Sequence, residues 1–251
     1  MNPLALELKD VRKRFGNAEI ICGANLQLPQ GQRLALIGPN GAGKSTLFNL
    51  ISGRFTLSSG DILLNGSSIV GQKPYQINRR GLSRSFQITN IFHRLSVFEN
   101  LRCAVLWSLG YRYSFWQRLN GLRDVTQRAE QVMEEIGLQR RRHVQADLLS
   151  YAEQRALEIG ITIAGGASVL LLDEPTAGMS RSESDAAVEL IRKVSAGKTL
   201  LMVEHDMDVV FGLADQIAVL VYGEIIACDT PDQIRNNSLV QQAYLGAMES
   251  T

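Results

Sequence analysis

The sequence has few cysteines, few aromatic residues and no long apolar stretch. Its cysteines, Cys22, Cys103 and Cys228, are widely scattered, and none belongs to a Cys-x-x-Cys pair of the kind found in metal and redox sites. We therefore expect reduced thiols in a cytosolic protein. No apolar run approaches the roughly 20 residues that a membrane-spanning helix needs. Any link to a membrane is expected to pass through a partner.

The charges are nearly balanced. A formal net charge of +1 at pH 7 gives no electrostatic reason to expect a polyanionic partner. The basic run at 140–143 is interpreted as a solvated helix end or loop, so no nucleic-acid partner is predicted. Charged residues stand near the N-terminus, where a secretion signal needs uninterrupted apolar residues, and we expect no such signal.

The first part of the chain predicts strands followed by a helix. Apolar and polar residues alternate at 4–8 and 20–28, which indicates two half-exposed antiparallel strands. A strand at 33–37 then runs into a glycine-rich turn. Apolar residues at helical spacing after that turn predict a helix at 44–51.

The rest of the chain divides into a helical part and a return to strands. The pattern from about 97 to 164 is mostly helical. Compact apolar runs at 168–172, 199–203 and 216–221 are separated by helical stretches, as is typical of buried parallel strands. The sequence therefore predicts an α/β core interrupted by a helical subdomain.

A glycine-rich motif joins the strand at 33–37 to the helix at 44–51. It fits G-x-x-x-x-G-K-[ST] in the strand-to-helix context that a phosphate loop requires. The glycines let backbone N–H groups converge on phosphate oxygens, and the helix N-terminus adds its positive dipole end. Lys44 is expected to neutralise the β- and γ-phosphates, Ser45 to ligate Mg²⁺ and Thr46 to bond the α-phosphate. The predicted triphosphate-binding residues are Gly38, Pro39, Asn40, Gly41, Ala42, Gly43, Lys44, Ser45 and Thr46.

Two adjacent carboxylates follow the apolar run at 169–172. Burial of that run makes the strand end rigid, and ligands of open α/β sheets bind at this carboxyl edge. Asp173 is expected to hold Mg²⁺, and Glu174 to orient or deprotonate the attacking water. The alternative is an exposed acidic turn.

Several motifs follow one another along the whole chain. They are the phosphate loop, Gln87 in Ser-Phe-Gln, the segment 149–155, Asp173-Glu174-Pro175-Thr176, and His205 in Glu-His-Asp. This ordered set resembles the ATPase subunits of ATP-binding cassette (ABC) transporters. The resemblance implies an α/β fold with a RecA-like P-loop NTPase core, an antiparallel β subdomain and a helical ABC subdomain. It implies one nucleotide-binding domain over 1–251, with its core at about 1–86 and 165–230, the helical subdomain at about 87–164 and a C-terminal tail at about 231–251.

The resemblance also implies roles for residues outside the two motifs. Phe15 would stack on adenine, Gln87 would sense Mg²⁺ and the lytic water, and His205 would contact the γ-phosphate. Taken alone, each of these residues also has an ordinary structural interpretation. The implied catalytic residues are Glu174, His205, Gln87 and Lys44, and the implied metal ligands are Ser45, Gln87 and Asp173.

The segment 149–155 resembles the family signature, which caps the ATP bound to the opposite subunit. The resemblance therefore implies a head-to-tail dimer, either a homodimer or a heterodimer of related chains, with ATP molecules between the subunits. The signature residues implied to contact ATP are Ser150, Tyr151, Ala152 and Glu153.

Short strings resemble the branch that serves branched-chain amino acid, amide and urea importers. They are Leu149-Ser-Tyr, Ala177-Gly-Met, Glu204-His-Asp-Met and Ala243-Tyr-Leu-Gly. The likeness implies import of a small solute through a permease, with a periplasmic or extracellular solute-binding protein, at the cytoplasmic face of the cell membrane. The permease would grip a groove near 87–98, with apolar anchors at Ile91, Phe92, Leu95, Val97 and Phe98.

The signature departs from the family pattern. Ala152 stands where Gly is usual, Glu153 where Gln is usual, and Ser180 where an acidic residue is common. Ala152 adds a methyl group beside a phosphate, and a Glu153 that faced inward would repel ATP. Replacing both residues by the usual ones is therefore expected to raise hydrolysis.

Glycines at 157–166 are expected to soften the helix by about 1 kcal/mol each.

Other interpretations stay open. The aromatic stretch 107–116 fits either packing inside the helical subdomain or a docking surface for a membrane partner. A soluble cassette ATPase would usually carry two cassettes or a long coiled-coil insertion, and an exporter ATPase shares the same motifs. A phosphate-loop kinase or GTPase would not explain the later motifs.

Overall fold

We describe residues 3–85, 91–109, 111 and 122–248 of a computed structural model. Strands and helices alternate along the chain after an initial hairpin. The strands are β1 (Leu4–Phe15), β2 (Ala18–Pro29), β3 (Arg33–Ile37), β4 (Ser59–Leu64), β5 (Ser67–Ser68), β6 (Leu82–Arg84), β7 (Val169–Asp173), β8 (Thr199–Val203), β9 (Gln216–Val221) and β10 (Glu224–Asp229). The helices are α1 (Lys44–Ile51), α2 (Pro74–Arg79), α3 (Val97–Ser108), α4 (Arg123–Glu135), α5 (Tyr151–Ala164), α6 (Arg181–Val194), α7 (Met207–Leu213), α8 (Pro231–Arg235) and α9 (Ser238–Met248).

The described strands form an antiparallel sheet and a mostly parallel sheet. The antiparallel sheet has the order β2-β1-β4-β5, and the other sheet has the order β10-β9-β3-β8-β7-β6. In the second sheet every pairing from β9 to β6 is parallel, and β10 is antiparallel to β9. The carboxyl ends of β3, β8, β7 and β6 therefore lie side by side at one edge.

Full burial of the central strands explains their unbroken apolar sequences. Along β7, Val169 and Leu171 pack in the cluster shared with the antiparallel sheet and α1, whereas Leu170 and Leu172 pack in the cluster shared with α3, α4 and α5. Because successive strand residues point to opposite faces, a strand covered on both sides must be apolar throughout.

The structure confirms most of the predicted elements. The helix at 44–51 and the strands at 33–37, 199–203 and 216–221 have the predicted bounds, and the antiparallel hairpin is longer than the alternation indicated. The α/β class is confirmed as well, with α3, α4 and α5 between β6 and β7. Within the described ranges, no helix combines the length and apolarity needed to cross a bilayer.

Gly160 permits close packing between helices α5, α3 and α4. A Cβ atom at this position would lie 2.7 Å from Ile136 Cδ1 and 3.1 Å from Leu101 Cδ2, and both of these side chains are buried. The glycine that was expected to soften the helix therefore allows the three helices to approach one another. Its low helix propensity is offset by the packing that it permits.

We predict that Gly160→Ala lowers the free energy of unfolding by about 1–2 kcal/mol, because the cost of overpacking the core exceeds the gain of up to about 1 kcal/mol in helix propensity. Gly212→Ala in α7 is the matched control, since its Cβ atom would meet nothing within 4 Å. That control should raise stability by up to about 1 kcal/mol. Chemical denaturation measures both changes, and equal shifts in the two variants would contradict the packing role of Gly160.

Candidate functional site

The phosphate loop runs from the end of β3 to the start of α1. A Cβ atom at Gly38 would lie 2.0 Å from the backbone oxygen of Leu220 on β9, so only glycine fits there. Gly43 precedes α1 with φ 105°, a conformation that side chains rarely adopt. Lys44, Ser45 and Thr46 form the first turn of α1, and no side chain caps the N–H groups of that turn. The segment therefore has the strand-to-turn-to-helix form that the motif predicted.

Lys44 folds back over the loop. Its Nζ donates hydrogen bonds to the backbone oxygens of Gly38 at 2.6 Å and Pro39 at 3.0 Å. Burial lowers the pKa of Lys44, and the negative charge of Glu174 partly offsets this effect. The ammonium group from the first motif and the carboxylate from the second therefore lie close enough to interact, which supports one shared site.

Asp173 and Glu174 differ sharply in their surroundings. Asp173 is 2% exposed at the end of β7, and Arg84 Nη2 donates to its Oδ2 at 2.7 Å. Glu174 has φ 47°, a strained conformation for a residue with a side chain, and its N–H donates to Val203 O at 2.9 Å. The turn thus separates a buried carboxylate from a partly exposed one. The alternative of an exposed acidic turn is wrong for Asp173.

Arg84 is a site residue that sequence reasoning missed. It ends β6, the strand next to β7, and its guanidinium also donates to Asn49 Oδ1 and Ser52 Oγ of α1, each at 2.8 Å. Burial lowers its pKa, and the bond to Asp173 partly offsets this effect. No local sequence pattern marks Arg84, because its partners lie elsewhere along the chain.

Glu204 is a second residue that sequence reasoning missed. Its buried carboxylate accepts hydrogen bonds from Thr176 N at 3.0 Å, Thr176 Oγ1 at 2.6 Å and His205 N at 3.1 Å. It therefore ties the turn after β7 to the turn after β8. The His205 side chain is 67% exposed beside this anchor, and its Nδ1 lies 3.8 Å from Glu204 Oε2. The only signal in the sequence was its place in Glu-His-Asp.

Phe15 lies at the end of β1 with its ring partly exposed. Phe55 contacts it edge-on at a centroid distance of 5.4 Å, and Lys13 Nζ lies 4.8 Å from its centroid. The ring is therefore held on the protein surface and not in the core, as expected for a base-stacking position. Gln87, the other predicted sensor, lies outside the described residues.

The signature segment begins helix α5. Ser150 is its N-cap, and Ser150 and Glu153 form a capping box in which each side chain accepts from the other residue's N–H. Glu153 also accepts from Arg141 Nε at 2.7 Å. Burial alone would raise the pKa of Glu153, but the bonds from Arg141 and Ser150 hold it below its usual value. Arg141 therefore pairs the Glu153 charge within the chain, and the expected repulsion of ATP stays a prediction.

Comparisons with known proteins agree with this geometry. A family model described as "ABC transporter" matches residues 21–177, more than half of the chain. The chain belongs to the ABC transporter family. A second model, described as "Branched-chain amino acid ATP-binding cassette transporter", matches residues 224–250.

Proteins similar to this cassette over nearly their whole length are transport ATP-binding proteins. The high-affinity branched-chain amino acid transport ATP-binding protein LivG of Escherichia coli is 36% identical over 98% of this chain and 99% of its own length. The corresponding protein BraF of Pseudomonas aeruginosa is 36% identical over 96% and 97%. A solved structure of the ADP conformation of an ATP-binding cassette of an ABC transporter is 26% identical, with a TM-score of 0.83 over 97% of this chain and 99% of that chain. The resemblance inferred from the motifs is confirmed, and the cassette is an ATP-binding transport ATPase.

In this cassette, Tyr151 joins the signature helix to the loop after Glu174. Its hydroxyl donates to Ala177 O at 2.8 Å and accepts from Arg155 Nε and Nη2 at 3.2 and 3.0 Å. The Tyr151 ring also packs against Gly178. Ala152 follows in the first turn of α5, and it lines a surface cavity together with Met179 of the same loop. Ser180, the third departure from the family pattern, caps α6 in a capping box with Glu183.

The predicted permease anchors divide into buried and exposed residues. Ile91 and Val97 are buried in the helical core, so their assignment as docking anchors is wrong. The Phe98 ring is covered by the Arg142 guanidinium at 3.9 Å. Phe92 is 58% exposed on a loop held by buried Asn100. Of the aromatic stretch at 107–116, Tyr111 packs against the helical core, and residues 112–116 lie outside the described residues.

We predict that Tyr151→Phe lowers the free energy of unfolding by about 1–2 kcal/mol, because Ala177 O and the Arg155 guanidinium each lose a hydrogen-bond partner. Tyr75→Phe is the control, since the Tyr75 hydroxyl is exposed and makes no hydrogen bond among the described residues. Urea denaturation of both variants provides the comparison. A Tyr151→Phe variant as stable as the control would show that this link contributes nothing.

Proposed function

We propose that this cassette hydrolyses ATP to power the import of branched-chain amino acids, or of a related amide or urea-type solute, through a partner permease. The observation that carries the proposal is the sheet edge where the phosphate loop, Asp173-Glu174 and His205 follow the adjacent strands β3, β7 and β8. The named relatives and the match at 224–250 support the substrate class.

We assign nucleotide binding to the phosphate loop and to Phe15. Residues 38–46 present backbone N–H groups to the triphosphate, and Lys44 leaves its loop carbonyls to neutralise the β- and γ-phosphates. Phe15 stacks on the adenine ring.

We also propose the division into a core at about 1–86 and 165–230, a helical subdomain at about 87–164 and a tail at about 231–251.

Ser45, Gln87 and Asp173 would hold Mg²⁺ in this proposal. Asp173 fits that role, because its buried Oδ1 has no hydrogen-bond partner among the described residues. The part of the chain that the structure describes contains no cluster of three or more His, Cys, Asp or Glu that could hold a metal. Ser45, Gln87 and Asp173 would supply oxygen ligands of the kind that Mg²⁺ takes together with nucleotide phosphates, and the ion would neutralise charge that develops on those phosphates.

Hydrolysis is assigned to the residues around the γ-phosphate. Glu174 orients or deprotonates the attacking water from the turn after β7, where its backbone has φ 47°. His205 contacts the γ-phosphate from the turn that Glu204 anchors, and Gln87 completes the set. In the dimer, Ser150, Tyr151, Ala152 and Glu153 of one subunit cap the ATP of the other.

We predict that Glu174→Gln keeps ATP binding but lowers turnover by about 100-fold or more, because the carboxamide preserves shape and loses the base. ATP should then trap a stable dimer, detectable by size-exclusion chromatography. Glu224→Gln on β10 is the control and should keep normal turnover, because Glu224 is exposed on an edge strand. Wild-type turnover in Glu174→Gln would remove Glu174 from its assigned role.

The permease is assigned to the groove between the core and the helical subdomain. This is the predicted groove near 87–98, where Phe92 is 58% exposed on the loop before α3. We place the assembly, with its solute-binding protein on the opposite side, at the cytoplasmic face of the cell membrane.

We predict that Phe92→Ala weakens copurification with the permease, because exposed aromatic anchors cost roughly 2 kcal/mol or more when truncated at an interface. ATP binding by the isolated cassette should stay unchanged. Leu239→Ala, an exposed apolar residue on α9, is the control. Normal assembly of Phe92→Ala would exclude it as an anchor. Failure of the wild-type cassette to copurify with any permease would favour a soluble, non-transport ATPase.

A further inference from the structure

Arg84 joins three structural elements through one buried side chain. The side chain is 6% exposed, and its guanidinium bonds Asp173 of β7 and both Asn49 and Ser52 of α1. Arg84 itself ends β6, the strand that leads toward Gln87. A planar guanidinium with several N–H donors can hold such separated acceptors at once, whereas a lysine ammonium is a single point charge.

The two oxygens of Asp173 have different surroundings. Oδ2 accepts the 2.7 Å bond from Arg84, while buried Oδ1 has no hydrogen-bond partner within the described ranges. A buried carboxylate oxygen without a donor is costly, so the arrangement favours a ligand that supplies positive charge or donors to Oδ1. With Oδ2 held by Arg84, the carboxylate cannot rotate freely and Oδ1 keeps one direction.

The other end of the guanidinium holds the helix that carries Ser45. Asn49 lies one helical turn after Ser45, and Ser52 follows at the end of α1. The position of α1 relative to β7 is therefore held through Arg84. Both proposed Mg²⁺ contacts that the structure describes, Ser45 and Asp173, belong to elements that this one side chain joins.

We propose that Arg84 is a positioning residue for the Mg²⁺ that binds with the nucleotide. Its side chain fixes the direction of Asp173 Oδ1 and the position of Asp173 relative to Ser45. The proposal rests on the function proposed above. In this role Arg84 strengthens Mg²⁺ binding, because it holds the ligands of the ion in place. A buried cation acting only by charge would repel Mg²⁺, and its loss would strengthen Mg²⁺ binding.

The test measures how strongly Mg²⁺ promotes nucleotide binding. The dissociation constant of a fluorescent ATP analogue is measured with Mg²⁺ and with EDTA, and the ratio of the two values reports the contribution of the ion. Arg84→Lys keeps the charge but cannot hold the three acceptors. We expect the ratio to fall about 10–100-fold, the range seen when residues that orient metal ligands are replaced. The affinity in EDTA should stay within about threefold, because the phosphate loop is untouched.

Arg79→Lys on α2 is the matched control, since Arg79 lines the same surface cavity as Arg84 but its guanidinium lies over the Tyr75 ring, 4.9 Å from the centroid. Thermal melts establish that each variant is folded. If Arg84→Lys does not fold, Asn49→Ala removes one acceptor while keeping the ion pair, and a smaller fall in the same ratio is expected.

An unchanged or increased ratio in the folded variant overturns the proposal, as does an equal loss of affinity with Mg²⁺ and with EDTA. A wild-type protein whose nucleotide affinity does not depend on Mg²⁺ would instead contradict the proposed ion site itself. The two failures are therefore distinguishable.

Discussion

Parallel pairing of β3, β8, β7 and β6 is the constraint on which the site depends. Parallel neighbours bring their carboxyl ends to one edge, so residues that are far apart in sequence become neighbours there. The phosphate loop, the Asp173-Glu174 turn, the Glu204-His205 turn and Arg84 all lie on that edge. The pairing in turn requires strands that are apolar on both faces, which is why the motifs follow unbroken aliphatic runs.

Buried polar networks hold the loops at this edge. Glu204 fastens the turn after β7 to the turn after β8, and Arg84 fastens β7 to α1. Such networks stabilise the fold only when every buried polar group has a hydrogen-bond partner, because a buried group that loses its partner lowers the stability of the fold. The site is rigid at these points. In contrast, Lys44 Nζ bonds backbone oxygens of its own loop, and the His205 side chain is largely exposed.

The signature helix is connected to the same edge within one chain. Tyr151 bonds Ala177, which follows Glu174 closely, and α5 packs on α3 and α4 through Gly160. In the proposed dimer, this contact would connect the signature that faces one ATP with Glu174, the carboxylate proposed to act on the other ATP. The capping box at Ser150 and the ion pair of Glu153 with Arg141 stabilise the start of α5, which carries the signature and Tyr151.

The amino-acid sequence alone determined the phosphate loop, the buried strand with its carboxylates, the initial hairpin and the family, because each depends on residues close together in the chain or on motif order. Tertiary structure decided which charges pair and which glycine is needed for packing. Arg84 and Asp173 are 89 residues apart, Thr176 and Glu204 are 28 apart, and Tyr151 and Ala177 are 26 apart. The periodicity of apolar residues and the spacing of motifs indicate the local backbone conformation and which face of a helix or strand is buried. Contacts between residues that are distant in sequence depend on the order of the strands in the sheet and on how closely the helices pack. Both are defined only in the folded chain.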